Sequence, residues 1–461
     1  MTLKLLISLA TLAVTALTTS PREGRCKAQS HSDVVKLGQK KEQQYFPFAP
    51  ITGQIQLYEE EGNSMFYWLF PSKRKETVNT DPVLIWMNGG PGCASTGGLF
   101  REHGPYYVYD YKEGQLPKAE ERTISWNAQS NMIFVDQPLG IGLSTVTTEH
   151  LVKSWRDVAT QFLLFYELFL EKHPEFKGRE LYVSGESYGG HWVPYTSYAL
   201  FRSDNPDINL KGFIIGNGLI DYKWLSVDYP NFSYKNRQYT NFTKEDKDAL
   251  QPKADLCRHL MDFKPMPKIT FNENQICDGI SDTILTKAND FQNKTYGRPF
   301  DVYYMPSNWP TNSSWVSFLN SEPVKNYLNV HKEFDECNDT FLNYFRPIDD
   351  RQDSREMIVP MLEAGVNVWV FDGDQDWICN YEQEEEALDT MVWHGRMKWL
   401  GKELEKCDYG LCKQVDNLKY IRFAGAGHMV PVYKPHLALQ MINEFLSWNP
   451  KADRNEKKGN Q

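Results

Sequence analysis

Positive charge is in short supply in this sequence. Its 461 residues contain 50 Lys and Arg against 60 Asp and Glu, which gives a formal net charge of -10. A nucleic-acid-binding surface needs clustered basic side chains that displace the counterions of the phosphates, and this balance argues against one. Nucleic acid is therefore not expected as a partner.

Long apolar runs are missing after the first residues. Residues 1–20 carry one basic residue, an apolar run from Leu5 to Leu17 and then small residues, which is typical of a secretory signal peptide. The run is shorter than the about 20 apolar residues that cross a bilayer, and no second run follows, so no membrane span is expected. A terminal Lys-Asp-Glu-Leu retention signal is absent too. We expect a secreted or lysosomal protein.

Asn-x-Ser/Thr sequons support the same route. A single sequon arises easily by chance, but a cluster of them fits a glycoprotein of the secretory pathway. The candidate asparagines are Asn231, Asn241, Asn293, Asn312 and Asn338. We expect glycosylation among these positions.

Cysteine is too sparse for a small disulfide scaffold, since the chain has only 8. In an oxidising compartment most of them are expected in disulfide bonds, but many pairings are open. Neither Cys-x-x-Cys nor His-Glu-x-x-His occurs, which disfavours a structural zinc site and a zincin-type centre. No metal ion is expected.

The rest of the composition is that of an ordinary globular protein, with 41% hydrophobic and 24% charged residues. The length allows one large domain or two to three ordinary ones. A hairpin is expected over 51–70 and an amphipathic helix over 154–172, ended by His173 and Pro174. Buried strands are expected at 83–87, 131–136, 181–184, 211–215, 366–371 and 418–423. This alternation predicts an α/β fold with a mostly parallel central sheet flanked by helices.

The alternation stops over residues 219–332. This stretch is rich in Asn, Tyr, Pro and Asp and predicts a cap inserted into the fold, helical around 244–261. The core would then consist of residues 40–218 and 333–450, followed by a flexible polar tail over 451–461.

A Gly-x-Ser-x-Gly motif centred on Ser187 follows the third buried strand directly. Its glycines permit a tight strand-to-helix turn that presents the serine hydroxyl, as in a nucleophile elbow. A lone match is weak, because a glycine-rich turn with a structural serine looks the same. The preceding strand favours the catalytic interpretation.

The serine needs a base and an orienting acid, and both have candidates after later strands. Asp374 and Asp376 close the fifth strand, and His428 follows the sixth. The order Ser, Asp, His is that of an α/β-hydrolase triad. Either aspartate fits the acid position, and either could instead cap a helix.

A glycine-rich loop leaves the first buried strand and contains Gly89 and Gly90. Such a loop turns backbone N–H groups toward the serine, so the N–H groups of Gly90 and Tyr188 could form an oxyanion hole. A phosphate-binding loop is the alternative, but the Lys-Ser/Thr of a P-loop is missing.

These motifs together resemble the successive signatures of the serine carboxypeptidases, the family that includes lysosomal cathepsin A. The matching blocks run in the right order between about 45 and 448, and they lie at 86–95, 134–142, 185–194, 216–218, 373–380 and 425–431. Ala94 and Leu143 depart from the family pattern at positions that are not catalytic. The resemblance implies an α/β-hydrolase fold with an inserted cap subdomain.

The resemblance also implies the roles of individual residues. It implies a triad of Ser187, Asp376 and His428, which selects Asp376 over Asp374, and the oxyanion donors Gly90 and Tyr188. It implies a site for the substrate's terminal carboxylate, formed by Asn88, Glu102, Glu186, Trp86 and Gly89. The implied disulfide bonds are Cys93 with Cys337, Cys257 with Cys277 and Cys407 with Cys412, with Cys379 a free thiol and Cys26 unassigned.

The expected function is a serine-type carboxypeptidase that hydrolyses the C-terminal peptide bond of peptides or proteins through an acyl-enzyme, at acidic pH and without a cofactor. The alternatives are an acyltransferase of the same fold and a protective or binding glycoprotein with secondary catalysis. The side-chain preference, the processing of the cap and the oligomeric state, including a homodimer, are left open.

Overall fold

A ten-stranded sheet organises the part of the chain that the structure describes. This computed structural model describes residues 45–108, 115, 117–262, 271–306, 314–349 and 352–449. The expected signal peptide, Cys26, the sequon Asn312 and the C-terminal tail lie outside these residues.

The strands of the described residues are β1 (Ile51–Gln56), β2 (Ser64–Phe70), β3 (Val83–Met87), β4 (Tyr106–Tyr107), β5 (Glu120–Glu121), β6 (Asn131–Asp136), β7 (Glu180–Ser187), β8 (Asn209–Gly218), β9 (Asn367–Gly373), β10 (Glu405–Cys407), β11 (Gly410–Val415) and β12 (Leu418–Phe423). The large sheet has the order β1-β2-β6-β3-β7-β8-β9-β12-β11-β10, and β4 pairs with β5 in a small second sheet. Six neighbouring strands run parallel to one another, namely β6, β3, β7, β8, β9 and β12. Strands in antiparallel pairing flank them on both sides.

The described helices are α1 (Trp155–Lys172), α2 (Gly189–Arg202), α3 (Tyr222–Lys235), α4 (Arg237–Thr240), α5 (Lys244–Asp262), α6 (Phe271–Tyr296), α7 (Ser314–Asn320), α8 (Glu322–Leu328), α9 (Asp339–Asp349), α10 (Arg355–Glu363), α11 (Tyr381–Thr390), α12 (Arg396–Leu400), α13 (Val430–Tyr433) and α14 (Pro435–Ser447). Short 3₁₀ turns cover Trp126–Ala128, Thr148–His150 and Pro174–Phe176, and a π-helical segment covers Gly98–Glu102.

Helices cover both faces of the central strands. Tyr182 and Gly185 of β7 point to opposite faces, because side chains alternate along a strand. On one face the Tyr182 ring lies 5.2 Å from the Phe445 ring of α14. On the other face a Cβ on Gly185 would lie 2.9 Å from Val193 of α2. Strands buried on both faces read as continuous apolar runs, which is why the sequence revealed them.

The predicted α/β architecture is confirmed, including the six strands, the hairpin of β1 with β2 and the helix α1. Ser154 caps α1 by accepting a hydrogen bond from the Asp157 N–H at 3.3 Å, and the helix ends before Pro174. Three strands continue past their predicted ends, since β7 reaches Ser187, β8 reaches Gly218 and β9 reaches Gly373. Backbone pairing with neighbouring strands extends them past their apolar residues.

Between Gly218 and Asn367 the described residues form helices and no strand. The helix expected around 244–261 is present as α5. Helices continue beyond 332 to Glu363, so the element pattern alone does not mark the end of a cap. The cap bounds of 219–332 stay a prediction.

The three expected disulfide pairings are present. They join Cys93 to Cys337, Cys257 to Cys277 and Cys407 to Cys412. The first connects the glycine-rich loop after β3 with the segment before α9, and the second connects α5 with α6. The buried Cys379 is a free thiol, as expected.

Gly190 tests how closely α2 packs against the end of β8. A Cβ at this position would lie 2.6 Å from the carbonyl oxygen of Leu219 and closer still to its backbone N and C, so the backbone must shift. We expect Gly190→Ala to lower the free energy of unfolding by about 1–3 kcal/mol, measured by denaturant unfolding. Gly279→Ala in α6 is the control, because its Cβ would meet nothing within 4 Å. If the free energy of unfolding of Gly190→Ala equalled that of the parent protein, this close packing would be contradicted.

Candidate active site

Ser187 stands at the tip of β7 in a conformation that side-chain-bearing residues rarely adopt. Its φ is +60°. Such a backbone costs on the order of 1–3 kcal/mol and persists only where the surroundings hold it. Here the Ser187 carbonyl accepts a hydrogen bond from Leu219 N–H at 2.8 Å, and α2 begins two residues later at Gly189. The serine thus lies at a tight strand-to-helix turn, as the motif predicted.

The glycine-rich loop after β3 packs against this turn. A Cβ on Gly89 would lie 2.6 Å from Ser187 Cβ and even closer to Tyr188 N. Gly90 has a φ of +113°, which glycine adopts freely and other residues rarely do. The loop and the turn therefore bring the backbone of Gly90 and Tyr188 to the serine side of the sheet.

Asp376 and His428 are hydrogen-bonded to each other. The His428 Nδ1 to Asp376 Oδ2 distance is 2.7 Å, and both side chains are buried. The backbone N–H of His428 donates a hydrogen bond to the carbonyl of Tyr303 at 2.8 Å. This bond holds the loop that carries the histidine against the 301–305 segment. Because β7, β8, β9 and β12 are neighbours in parallel register, their carboxyl ends meet at one edge of the sheet.

The hydrogen bonds distinguish the two candidate aspartates. Asp374 accepts hydrogen bonds from the Gly425 N–H at 2.7 Å and the Gln375 amide at 3.0 Å, so it holds loop backbone. Asp376 alone of the two is bonded to the histidine. This is the pairing that the resemblance implied and that the residue pattern left open.

Asn217 is a site residue that the sequence analysis did not assign a role. It is fully buried, with a φ of +41°, and its Nδ2 donates to Asp376 Oδ2 at 2.9 Å. Its Oδ1 accepts from the Gly373 N–H at 3.1 Å. The amide thus orients the carboxylate that faces His428. The available signal was an asparagine between two glycines at the end of a buried strand.

Burial shifts the pKa values of Asp376 and of the neighbouring Cys379 thiol. Burial raises the pKa of Asp376, while the His428 charge and hydrogen bond oppose the increase. Burial raises the pKa of the Cys379 thiol well above its usual value, and the Asp376 carboxylate adds to the effect. Cys379 is therefore a neutral thiol next to the triad candidates.

Asn88 holds two buried carboxyl groups side by side. Its Nδ2 donates to Glu102 Oε1 at 3.1 Å and to Glu186 Oε1 at 3.0 Å. The Asn88 Oδ1 in turn accepts from Trp86 Nε1 at 2.8 Å and from the Gly98 N–H at 2.8 Å. All of these side chains are buried, and Glu186 immediately precedes Ser187.

The two glutamates cannot both be ionised cheaply in this site. Burial raises the pKa of Glu102, although hydrogen bonds from Asn88 and Glu186 oppose it. Burial raises the pKa of Glu186 much further, and the Glu102 charge and hydrogen bond add to that rise. The pair therefore shares a proton.

Of the candidate glycosylation sites among the described residues, Asn231 lies in α3, Asn241 follows α4, Asn293 lies in α6 and Asn338 precedes α9. Asn241 and Asn293 are exposed, whereas Asn231 and Asn338 are partly buried. The Asn231 amide donates to Glu382 at 2.8 Å. Glycosylation itself stays a prediction.

No helix in the described ranges has the length and apolar character needed to cross a membrane.

The parallel sheet, the helices on both faces and the Ser, Asp and His residues after the ends of β7, β9 and β12 define an α/β hydrolase. The model of the serine carboxypeptidase family matches residues 40–448. The chain belongs to this family, whose members are hydrolases.

Known relatives agree with this membership. The pheromone-processing carboxypeptidase kex1 of Aspergillus clavatus is 29% identical over 427 residues, covering 86% of this chain and 67% of the relative. KEX1 of Uncinocarpus reesii is 30% identical over 434 residues, covering 86% and 64%. The chain thus spans about two thirds of the length of these relatives. The crystal structure of Kex1(delta)p, a prohormone-processing carboxypeptidase from Saccharomyces cerevisiae, has a TM-score of 0.70 at 23% identity, covering 86% and 90%, and shows the same fold.

A second group of buried acids lies behind Asp376. Asp372 of β9 and Glu384 of α11 are fully buried, and Asp372 Oδ2 accepts from the Tyr420 hydroxyl at 2.9 Å. Within the described part of the chain, Asp372 Oδ1 and both Glu384 oxygens lack a well-formed hydrogen bond. Burial raises the pKa of both carboxyls well above the usual range. The titratable or charged groups that face them are Asp221, Asp376, Cys379, Glu385, Tyr420 and Arg422.

This cluster predicts stability that decreases with rising pH. The folded state keeps protons on Asp372 and Glu384 that an unfolded chain releases above about pH 4. Their contribution is therefore complete below that pH and is lost as pH rises through the raised pKa values, at up to about 1.4 kcal/mol per pH unit for each carboxyl. We expect Tm to decrease from pH 5 to pH 8, and to decrease less in an Asp372→Asn, Glu384→Gln variant.

The exposed Glu59→Gln provides the matched control for this experiment. Its Tm should follow the parent at every pH. An identical pH dependence of Tm in the double variant and the parent would show that the buried pair does not set it.

Proposed function

We propose that this chain acts as a serine carboxypeptidase that removes residues from the C-termini of peptides or proteins. The observation that carries the proposal is the Asn88 amide bonded to both Glu102 and Glu186, directly beside Ser187. A general serine hydrolase needs no buried acid pair next to its nucleophile. An enzyme that recognises a terminal carboxylate does need hydrogen-bond donors there.

In the proposed mechanism Ser187 attacks the carbonyl of the last peptide bond while His428 accepts the hydroxyl proton. Asp376 holds the imidazole in the required orientation and stabilises its protonated form. The N–H groups of Gly90 and Tyr188 donate to the oxyanion that develops. His428 then gives the proton to the leaving amine. In the second half of the reaction water attacks the acyl-enzyme while His428 accepts its proton, and His428 returns that proton to the Ser187 oxygen as the acyl group leaves.

The protonated glutamate pair is proposed to bind the substrate's terminal carboxylate. A neutral carboxyl on Glu186 donates a hydrogen bond to that carboxylate, and the Asn88 amide keeps the pair in place. Trp86 and Gly89 support this group, since the Trp86 N–H fixes Asn88 and the missing side chain at Gly89 leaves space at the serine. Loss of the shared proton would replace a donor with a repelling charge.

The cellular setting is proposed from the sequence and the relatives together. The expected signal peptide and sequons fit the secretory route, and the fungal relatives carry the description pheromone-processing. We place the enzyme in that route, secreted or lysosomal, with peptides that pass through it as substrates.

Replacement of Ser187 tests the proposed activity. Purified parent protein should release the last residue from N-blocked dipeptides at about pH 5, and Ser187→Ala should reduce kcat at least about a thousandfold. Amino-acid release is measured by chromatography, with addition of an alcohol to detect transfer. Asp376→Asn should be strongly impaired, whereas Asp374→Asn is the matched control and should retain most of the activity. Ser187-independent release, or product only when alcohol is present, would contradict the proposal.

The shared proton predicts a pH dependence that is specific to peptides. Because the pKa of Glu186 is raised, the site is protonated at low pH and gains a repelling charge as pH increases through that pKa. We expect KM for dipeptides to rise by up to about tenfold per pH unit above the pKa. Esters without a terminal carboxylate should show little change in KM.

A Glu102→Gln, Glu186→Gln variant provides the test of this cause. Amides do not titrate, so its KM for dipeptides should lose the dependence on pH. A variant with the parent's KM profile would mean that another group controls carboxylate binding.

A further inference from the structure

An ion pair lies beside the Asn88, Glu102 and Glu186 cluster. Arg101 precedes Glu102 in the π-helical segment, and its guanidinium pairs with the Glu336 carboxylate. The two side chains are 21% and 31% exposed, so they are partly screened by protein and still face solvent. Neither the triad nor the carboxylate site, as described above, uses this pair.

Both partners are fixed close to the glycine-rich loop. The Glu336 carbonyl accepts a hydrogen bond from the Ala94 N–H at 2.8 Å. The next residue, Cys337, is bonded to Cys93 of the same loop. Arg101 is held by the turn that also carries Glu102. The pair is therefore anchored to the glycine-rich loop and to the segment that carries Glu102.

The ion pair has neighbours both in the proposed carboxylate site and beside His428. The Tyr303 ring lies 5.2 Å from the His428 ring. Burial raises the pKa of Tyr303, the positive charge of Arg101 opposes this, and the negative charge of Glu336 adds to it. The Arg101 charge also acts on Glu102 at the carboxylate end. Arg101 is thus the chain neighbour of Glu102, and its charge also affects Tyr303, which packs beside His428.

We propose that Arg101 and Glu336 are specificity-determining residues for the side chain of the substrate's last residue, an inference that rests on the proposed carboxypeptidase function. The terminal carboxylate and that side chain leave the same α-carbon. In this proposal, a residue whose carboxylate binds at Glu102 and Glu186 presents its side chain to the adjacent ion pair.

The pair acts as a neutral filter. Arg101 repels a basic terminal side chain and Glu336 repels an acidic one, and each charge is already compensated by its partner. A charged side chain gains little attraction there and loses part of its hydration, so uncharged terminal residues are preferred. Removal of one partner should take away this compensation of the other charge and create a preference of known sign.

The test is a charge-selectivity cycle with R101Q, E336Q and the double variant. The measurement is kcat/KM at about pH 6 for N-blocked dipeptides that differ only in a terminal leucine, lysine or glutamate, since specificity is a ratio of these constants. R101Q should raise the lysine-to-glutamate ratio about tenfold, and E336Q should lower it about tenfold. The double variant should return the ratio to near the parent value.

The exposed pair of Lys294 with Asp290 on α6 supplies the matched control, and K294Q should leave the ratio at the parent value. Ratios within about twofold of the parent in both R101Q and E336Q would overturn the inference. If the leucine substrate is still cleaved in a Ser187-dependent manner in that case, the proposed function stands. Parent enzyme that releases none of the three terminal residues would overturn the proposed function instead.

Discussion

The positive φ of Ser187 is the constraint around which the described structure is arranged. Gly89 lies directly against the serine, since a Cβ there would be 2.6 Å from Ser187 Cβ. Gly190 lets α2 approach Leu219, whose N–H holds the Ser187 carbonyl. The loop carrying Gly89 also carries Asn88, and the turn carrying Ser187 also carries Glu186. Close packing at one strained residue therefore brings the proposed nucleophile and the proposed carboxylate site together. A larger residue at Gly89 would push the loop and the turn apart.

Buried acids are a second theme of the fold. Glu102 with Glu186 and Asp372 with Glu384 place carboxyl pairs on either side of the triad candidates, and burial raises the pKa of every one of the four. A pair that holds a proton can donate a hydrogen bond or remain neutral in a dry interior. Both properties favour an enzyme that folds and binds best at acidic pH. That expectation fits a route that ends in secretion or in a lysosome.

The residue patterns predicted local features, whereas the long-range pairings that were predicted, such as Cys93 with Cys337 and Asp376 with His428, came from the family resemblance. Buried parallel strands leave apolar runs, and the nucleophile turn needs glycines at fixed positions, so the sheet and the Ser187 motif were recognisable. Asn217 and Tyr303 support Asp376 and His428 through contacts between residues far apart in the chain, which no local pattern reveals. The pairing of Arg101 with Glu336 has the same origin. The strand ends were underestimated, because hydrogen-bonded pairing continues into polar residues.

Covalent labelling tests whether Ser187 is a nucleophile that His428 activates. An organophosphonate reagent reacts with a serine that an adjacent base has activated, and mass spectrometry of the digested protein locates the adduct. We predict one adduct on the peptide containing Ser187 in the parent protein, and loss of that adduct in His428→Ala. An adduct on a different residue, or labelling of Ser187 that persists without His428, would contradict the account.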